Sequence, residues 1–324
     1  MSSSGWMNWL QRAGKKIDAR DLLLLTPPGV LRLIAGFVGQ RRSVAATGAT
    51  VPPPELHARD PELLEIVHDL FRALGQHYFR LQLRGTEHLP SHGPAMLVGS
   101  HNGAVLPIDT MFTMLGVRDT LGPERIVHPL AHDGIYANPH TRRYMQGLGV
   151  LRAGHNASDA ALEQGHLVLV YPGSDWDCCR SFAQRGRIEL AGRTGFLKQA
   201  LRHQVPIIPV VSAGTHEQLI VLTRGEGLAK ALRLHKLMRM DTFPIVLSLP
   251  WGLTSGLLPY IPLPAQTTVA FGPPISLPMV PESQVDDPQL LRHCYDLVTS
   301  SMQAQLDLLM AGRRVLLGQR HAGQ

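Results

Sequence analysis

Short apolar runs alternate with amphipathic stretches through most of the chain. Residues 61–76 place leucine, valine and phenylalanine at the spacing of one helix face. Runs typical of buried strands follow at 95–99, 126–131, 167–171 and 205–211, with shorter strands at 79–83 and 150–152. Helical patterning lies between them at 108–115, 139–147, 158–164 and 192–203. Asn156 or Ser158 is expected to cap the helix at 158–164.

This alternation predicts an α/β fold with a mostly parallel central sheet flanked by helices. In such sheets ligands bind beyond the carboxyl ends of the strands. The loops after 95–99 and 167–171 are therefore expected to lie near one another at that edge. A closing amphipathic helix is predicted at 289–314, with a stripe formed by Leu291, Tyr295, Val298 and Met302.

The chain divides into an N-terminal helical extension (1–54), one α/β domain (55–314, with its core at about 78–275) and a tail (315–324). Two apolar stretches have two interpretations each. The stretch 22–38 is interrupted by Pro27, Pro28 and Arg32, so it lies on a membrane surface or packs on the protein's own core. The stretch 242–281 forms buried strands with loops, or an apolar surface that meets lipid.

Composition narrows the classes of function. Only 17% of the 324 residues are charged, against about 25% in typical globular proteins. The net charge of +6 suits an anionic partner: nucleic acid, an acidic lipid surface or a phosphorylated ligand. An aromatic content of 6% argues against base stacking on single strands, and no basic-aromatic module for nucleic acid is present. The three cysteines are interpreted as reduced thiols of a cytoplasmic protein.

One histidine stands out among the 16 in the chain. His101 follows a predicted buried strand, lies among small polar residues and precedes an acid, Asp109. A histidine can take the proton of an alcohol that attacks a carbonyl, and a carboxylate can fix its tautomer. The alternative is that His101 bonds backbone in a turn and Asp109 caps the next helix. No serine elbow, phosphate-binding glycine loop or zinc-finger spacing accompanies this pair.

Four blocks of the sequence resemble the glycerolipid (lysophospholipid/glycerol-3-phosphate) acyltransferase superfamily, in its diacylglycerol-acyltransferase-like branch. The run 100–109 (SHNGAVLPID) resembles the first motif, and 170–177 (VYPGSDWD) resembles the third block of that branch. The segments 192–196 and 205–210 resemble the blocks that follow. The blocks stand in the family's order and cover roughly residues 78–275.

The resemblance implies transfer of an acyl group from acyl-CoA or acyl carrier protein to a hydroxyl of a glycerolipid. It implies that His101 is the general base and Asp109 its partner, with direct attack on the thioester and no metal or other cofactor. Substrate-binding residues carried over from the blocks are Asn102, Gly103, Arg152, Pro172, Gly173, Ser174, Asp175, Asp177 and Arg193.

The sequence departs from the family pattern at three places. Seven residues separate His101 from Asp109, where the usual motif has four. Gly173 stands where the usual third block has a glutamate that holds the acceptor phosphate; Asp175 or Asp177 substitutes for it, or both are solvated turn residues. Arg152 is a candidate anion contact or a surface residue at a strand end. A neutral acceptor, such as mono- or diacylglycerol, is therefore also expected.

The expected partners are an acyl thioester, a glycerolipid and a membrane surface. The protein is expected at the cytoplasmic face of the membrane, as a peripheral or monotopic protein. The sequence does not define an oligomeric state. Two other functions stay open. One is a catalytically silent lipid-binding protein on the same fold. The other is a hydrolase that passes the acyl group to water.

Overall fold

The computed structural model describes residues 3–18, 56–103, 106–132, 138–238 and 240–319, and the single residues 26, 28, 32, 35 and 136. Most of the stretch 22–38, the linker at 43–54 and the end of the tail (320–324) lie outside the described residues. The extension contributes helix α1 (Ser3–Lys16). It packs on α2 (Pro61–His77), where Trp9 Nε1 donates to the carbonyl of Ile66 at 2.9 Å.

A seven-stranded sheet forms the centre of the protein. Its strands are β1 (Gln82–Arg84), β2 (Ala95–Gly99), β3 (Val127–Ala131), β4 (Leu151–Arg152), β5 (Leu167–Val170), β6 (Ile207–Ala213) and β10 (Thr268–Phe271). Their order is β1-β10-β6-β2-β5-β3-β4. The five strands from β6 to β4 are parallel, whereas β10 pairs antiparallel with β6 and parallel with β1. The predicted α/β class with a mostly parallel sheet is confirmed.

Helices cover both faces of this sheet because its parallel strands need crossover connections. They are α3 (Ile108–Leu121), α4 (Pro139–Gly147), α5 (His155–Glu163), α6 (Ser174–Cys178), α7 (Gly195–His203) and α10 (Pro288–Met310). Side chains of β2 alternate between the two layers: Met96 and Val98 pack with α5, α7 and α10, whereas Leu97 packs with α2 and α3. Each layer has its own apolar core.

Cys178, Cys179 and Cys294 are buried and carry free thiols. None of the helices within the described ranges combines the length and hydropathy that crossing a membrane requires.

Three expectations about local structure were wrong. Neither Asn156 nor Ser158 caps α5: the helix begins earlier, after Gly154, and the Ser158 hydroxyl instead donates to Gln199 Oε1 on α7 at 2.6 Å. The strand expected at 79–83 is shifted to 82–84, because the N–H groups of Phe79 and Leu81 bond carbonyls at the end of α2 and Arg80 has a φ of +47°. The closing helix stops at Met310 rather than at 314.

The chain after α10 turns back as a hairpin. Gly312 has a φ of +64°, and β11 (Arg313–Arg314) pairs antiparallel with β12 (Gly318–Gln319). The guanidinium of Arg313 bonds the buried carboxylate of Glu217 at 2.8 Å. This long-range ion pair redirects the chain.

The stretch 242–281 contains both a buried strand and an exposed apolar surface. β10 is fully buried in the central sheet. The strands β8 (Ile245–Ser248) and β9 (Gly252–Ser255) join β7 (Ile220–Thr223) in a separate antiparallel meander with an exposed apolar face. Two short helices, α8 (Glu226–Ala231) and α9 (Leu234–Met238), connect β7 to β8.

Candidate active site

His101 and Asp109 meet at the carboxyl end of β2. His101 follows the strand by two residues, and Asp109 lies in the first turn of α3. His101 Nδ1 is 2.9 Å from Asp109 Oδ2 and 3.1 Å from Oδ1. The side chain of Asp109 is only 2% exposed, whereas that of His101 is 18% exposed. The expected contact is therefore present, with the imidazole at the surface and the carboxylate beneath it.

The carboxylate of Asp109 is held by the backbone as well. The N–H of Asn102 donates to Oδ2 and that of Thr110 donates to Oδ1, each at 2.7 Å. The N-terminus of α3 favours a negative charge at this position. An ionised carboxylate only accepts hydrogen bonds, so Nδ1 of His101 carries the proton that faces it. The other ring nitrogen, Nε2, keeps its lone pair.

The two acids next to His101 set its pKa. Burial by itself lowers the pKa of the imidazole, but the charge and hydrogen bond of Asp109, together with the charge of Asp177, outweigh burial and raise it above its ordinary value. Among the residues that the structure describes, none forms a hydrogen bond with Nε2. This nitrogen therefore has the properties of a general base.

The long spacing between His101 and Asp109 is taken up by a loop. Gly103 has a φ of +87°, a conformation that favours glycine, and its carbonyl accepts from the Leu106 N–H at 3.1 Å. The Tyr260 hydroxyl donates to the same carbonyl at 2.7 Å. The loop thus returns Asp109 to His101 despite the three extra residues between them.

Tyr171, at the end of β5, lies beside the imidazole. The ring centroids of His101 and Tyr171 are 4.7 Å apart. A Cβ on Gly99 would stand 2.3 Å from Tyr171 Cε1, so only glycine at that position allows the ring to lie there. The two loops expected to meet at the carboxyl edge of the sheet do so.

Asp177 contacts the backbone of His101 from the protein interior. Its side chain is fully buried, and Oδ2 accepts the backbone N–H of His101 at 2.5 Å. Oδ1 is paired with the guanidinium of Arg180, which is also buried. Burial raises the pKa of Asp177 to about 6 although Arg180 and the His101 N–H oppose this shift. Asp177 is therefore not a solvated turn residue; protein donors occupy its carboxylate.

The same buried network holds Asn102. Its side-chain oxygen accepts from Arg180 Nη2 at 2.7 Å, and its amide donates to Ser212 Oγ at 3.0 Å. Ser212 in turn bonds Thr215 at 2.7 Å. Asn102 is 1% exposed, so in this structure it supports the His101 loop. Sequence reasoning missed Arg180 and Ser212; the one signal for Arg180 was its spacing of three residues from Asp177.

The turn at 172–175 is closed by its own charged residues. Arg193 Nη1 donates to the carbonyls of Pro172 at 3.1 Å and Gly173 at 3.3 Å. Asp175 accepts from the backbone N–H of Asp241 at 2.7 Å. Ser174 begins α6 with a φ of +50°. These contacts make the turn rigid, and they engage Asp175 and Arg193 with protein groups.

Gly173 has no room for the glutamate of the related motif. A Cβ at this position would lie 2.2 Å from the Cβ of Asp177 and 2.5 Å from the carbonyl oxygen of Glu189. Asp177 thus fills the space that a side chain at position 173 needs. The departure from the motif has a steric cause.

Arg152 is not brought to His101. It lies at the carboxyl end of β4, three strands from β2 in the sheet. At the usual spacing between strands this places their backbones ~14 Å apart. Within the described ranges, no group of three histidine, cysteine, aspartate or glutamate side chains has the arrangement of a metal site.

A partly exposed imidazole with a buried carboxylate partner, at the carboxyl edge of a parallel sheet, is the arrangement of an enzyme that activates a hydroxyl group. Comparison with known proteins identifies the class: the chain is an acyltransferase of glycerolipid metabolism. It belongs to the diacylglycerol acyltransferase family, whose profile matches residues 65–296. His101, Asp109 and Asp177 all lie inside the matched region.

The chain is also similar to individual relatives and to a solved structure. An uncharacterized protein of Mycobacterium tuberculosis is 31% identical over 295 residues, which cover 89% of this chain and 77% of that protein. Diacylglycerol O-acyltransferase 2-like protein 6 of Bos taurus is 27% identical, over 63% of this chain and 64% of its own length. The crystal structure of the 1-acyl-sn-glycerophosphate acyltransferase PlsC from Thermotoga maritima aligns with a TM-score of 0.41 and 16% identity, over 87% of this chain and 97% of that one.

Proposed function

We propose that this enzyme transfers a fatty acyl group from acyl-CoA or acyl carrier protein to a free hydroxyl of a glyceride, with His101 as the general base. The contact between His101 Nδ1 and Asp109 Oδ2, at 2.9 Å, carries the proposal. It orients an imidazole whose second nitrogen has no hydrogen bond from the residues that the structure describes. Asp109 stabilises the imidazolium that forms when this nitrogen takes a proton.

The reaction is a single displacement at the thioester carbon. His101 Nε2 removes the proton of the acceptor hydroxyl as its oxygen attacks the carbonyl carbon of the donor. The carbon–oxygen bond forms and the carbon–sulfur bond breaks. The proton held on Nε2 then passes to the leaving thiolate, so the base is regenerated and no acyl-enzyme forms.

Two features of the site favour a neutral acceptor, mono- or diacylglycerol, over a phosphorylated one. Gly173 leaves no side chain at the position that holds the acceptor phosphate in the related motif. Of the arginines predicted to bind anions, Arg152 is three strands away, and Arg193 donates hydrogen bonds to the backbone carbonyls of the turn. The buried Arg180 is paired with Asp177.

Asp177 and Arg180 act as positioning residues in this scheme. Asp177 holds the backbone N–H of His101 and Arg180 holds the side chain of Asn102, so the pair fixes both ends of the peptide that carries the base. A catalytic group must be held within a fraction of an ångström of its productive position. The pair supports catalysis without touching the substrate.

The enzyme is proposed to work as a peripheral protein at the cytoplasmic face of a membrane. Its acceptor is a lipid, and its net charge of +6 suits an anionic surface. The three free, buried thiols suit a reducing compartment.

The test is a product analysis with the purified enzyme. It is incubated with labelled acyl-CoA in detergent micelles that contain diacylglycerol, monoacylglycerol or lysophosphatidate. We expect a new ester from the neutral glycerides. Release of free fatty acid alone would make the protein a hydrolase and overturn the proposal. Faster acylation of lysophosphatidate would overturn the choice of acceptor and leave the transfer in place.

A further inference from the structure

The outer surface of the meander is apolar where such sheets are usually polar. Leu247 of β8 is paired with Ile220 of β7 and with Leu253 of β9, and these three form one row across the sheet. The opposite row, with Val221 and Val246, is buried. An antiparallel sheet with one face in water normally places polar residues outward.

This surface continues beyond the row. We define the meander face by its exposed apolar residues: Leu222, Leu247, Leu249, Trp251, Leu253 and Ile261. Leu253 is 68% exposed. Single exposed leucines are ordinary, whereas several on one face of one small sheet mark a surface that binds something.

The charges around the meander face indicate what it binds. The stretch 242–281, which contains β8 and β9, has no charged residue. The connection from β7 to β8 (224–241) carries five lysines or arginines against two acids. Lys230 and Arg233, on and just after α8, are exposed. An apolar patch bordered by basic residues matches a lipid bilayer with anionic headgroups.

The meander is attached to the active site through the side opposite the meander face. Tyr260, which follows β9, bonds the carbonyl of Gly103 in the His101 loop at 2.7 Å. Arg224, at the end of β7, bonds the carbonyl of Trp176 in α6 at 3.0 Å. These contacts fix the buried side of the meander to the two loops that form the site, and the meander face lies on the other side of the same small sheet.

We propose that the meander face docks the enzyme on an anionic lipid bilayer, so that the active site is held close to a membrane that carries its lipid acceptor. The inference rests on the proposed function for its lipid substrate. The docking itself is a separate property that is measured without substrate.

The experiment measures binding of the full chain to vesicles of phosphatidylcholine alone and of equal parts phosphatidylcholine and phosphatidylglycerol. The test variant carries Leu247→Thr and Leu253→Thr, because threonine keeps the strand preference and removes the apolar surface. The matched control carries Leu297→Gln and Leu308→Gln on α10, where Leu308 is 73% exposed. Thermal unfolding verifies that both variants fold.

We expect the test variant to bind both kinds of vesicle at least about tenfold more weakly, and the control to bind like the wild type. Lys230→Gln with Arg233→Gln is expected to remove the preference for phosphatidylglycerol only. Unchanged binding by the folded test variant would overturn the proposal. The proposal would also be overturned if the wild-type protein does not bind vesicles but forms a dimer that the test variant no longer forms.

The two proposals fail separately. If the wild-type protein transfers acyl groups in detergent micelles but does not bind vesicles, the docking proposal is refuted and the proposed function is supported. If it binds vesicles through the meander face but does not acylate any glyceride, the docking proposal is supported and the proposed function is refuted.

Discussion

Asp177 accepts the backbone N–H of His101 at 2.5 Å although 76 residues separate the two in the sequence. The bond joins the loop after β2 to the turn after β5. Because β2 and β5 are neighbours in the sheet, it crosses between two adjacent strand ends. The position of the base therefore depends on a carboxylate that no solvent reaches.

The pair of Asp177 and Arg180 is expected to couple energetically. Asp177→Asn leaves the Arg180 guanidinium without its anion, and Arg180→Met leaves the carboxylate without its cation. The losses of unfolding free energy in the two single variants are expected to sum to more than the loss in the double variant. The difference, which is the coupling energy, is expected to be about 1–3 kcal/mol. Urea unfolding of the four proteins at pH 8 measures it. Additive losses would show that the pair is not coupled.

The pH dependence of stability follows from the same carboxyl group. Its pKa is about 6 in the folded protein against an ordinary value of 3.8, so the native state holds a proton that the unfolded chain has lost. The contribution of Asp177 to stability is therefore greatest at low pH and declines as the pH rises from about 4 to about 6. Asp177→Asn should remove this decline from a urea-unfolding series. An identical pH profile in wild type and variant would contradict the assignment.

Asp109→Asn should change the pH profile of transfer as well as its rate. Loss of the charge that raises the pKa of His101 leaves burial, which lowers it. The base must be neutral to act, so activity rises with pH in the wild type, and this rise should move to lower pH in the variant. The matched control is Asp159→Asn, which breaks a second aspartate–histidine pair, with His203 at 2.8 Å. A rise at the same pH in Asp109→Asn would show that Asp109 does not tune the base.

Gly173→Ala tests the packing of the turn. The added methyl group has no room beside Asp177 and the carbonyl of Glu189, so both must move. We expect a loss of about 1–3 kcal/mol of stability, together with lower activity because Asp177 holds His101. Gly227→Ala on α8 has open space and serves as the control. Equal thermal stability of the two variants would contradict the steric account.

The parts of the site that sequence reasoning found are local or carried by motifs. His101 and Asp109 stand eight positions apart around one strand-to-helix connection, and the alternating pattern located that connection. Arg180, Ser212 and Tyr260 were missed because their roles arise from tertiary contacts with the His101 loop. The cap at Ser158 failed for the same reason: its hydroxyl serves α7 instead.

The uncharged stretch 242–281 shows a similar limit. Its composition is equally compatible with a buried strand and an apolar surface, and the structure uses it for both. Which segment is buried depends on pairing with β6, more than fifty residues earlier in the chain.

The central claim is that His101 is the base, and acyl transfer by His101→Ala tests it most directly. The control is His203→Ala, since His203 is also paired with an aspartate and is 20% exposed, close to the 18% of His101. Thermal unfolding first verifies that both variants are folded like the wild type. Transfer from acyl-CoA to diacylglycerol is then measured. We predict a loss of about 10²-fold or more in His101→Ala and a wild-type rate in His203→Ala. A folded His101→Ala enzyme with the wild-type rate would contradict the account.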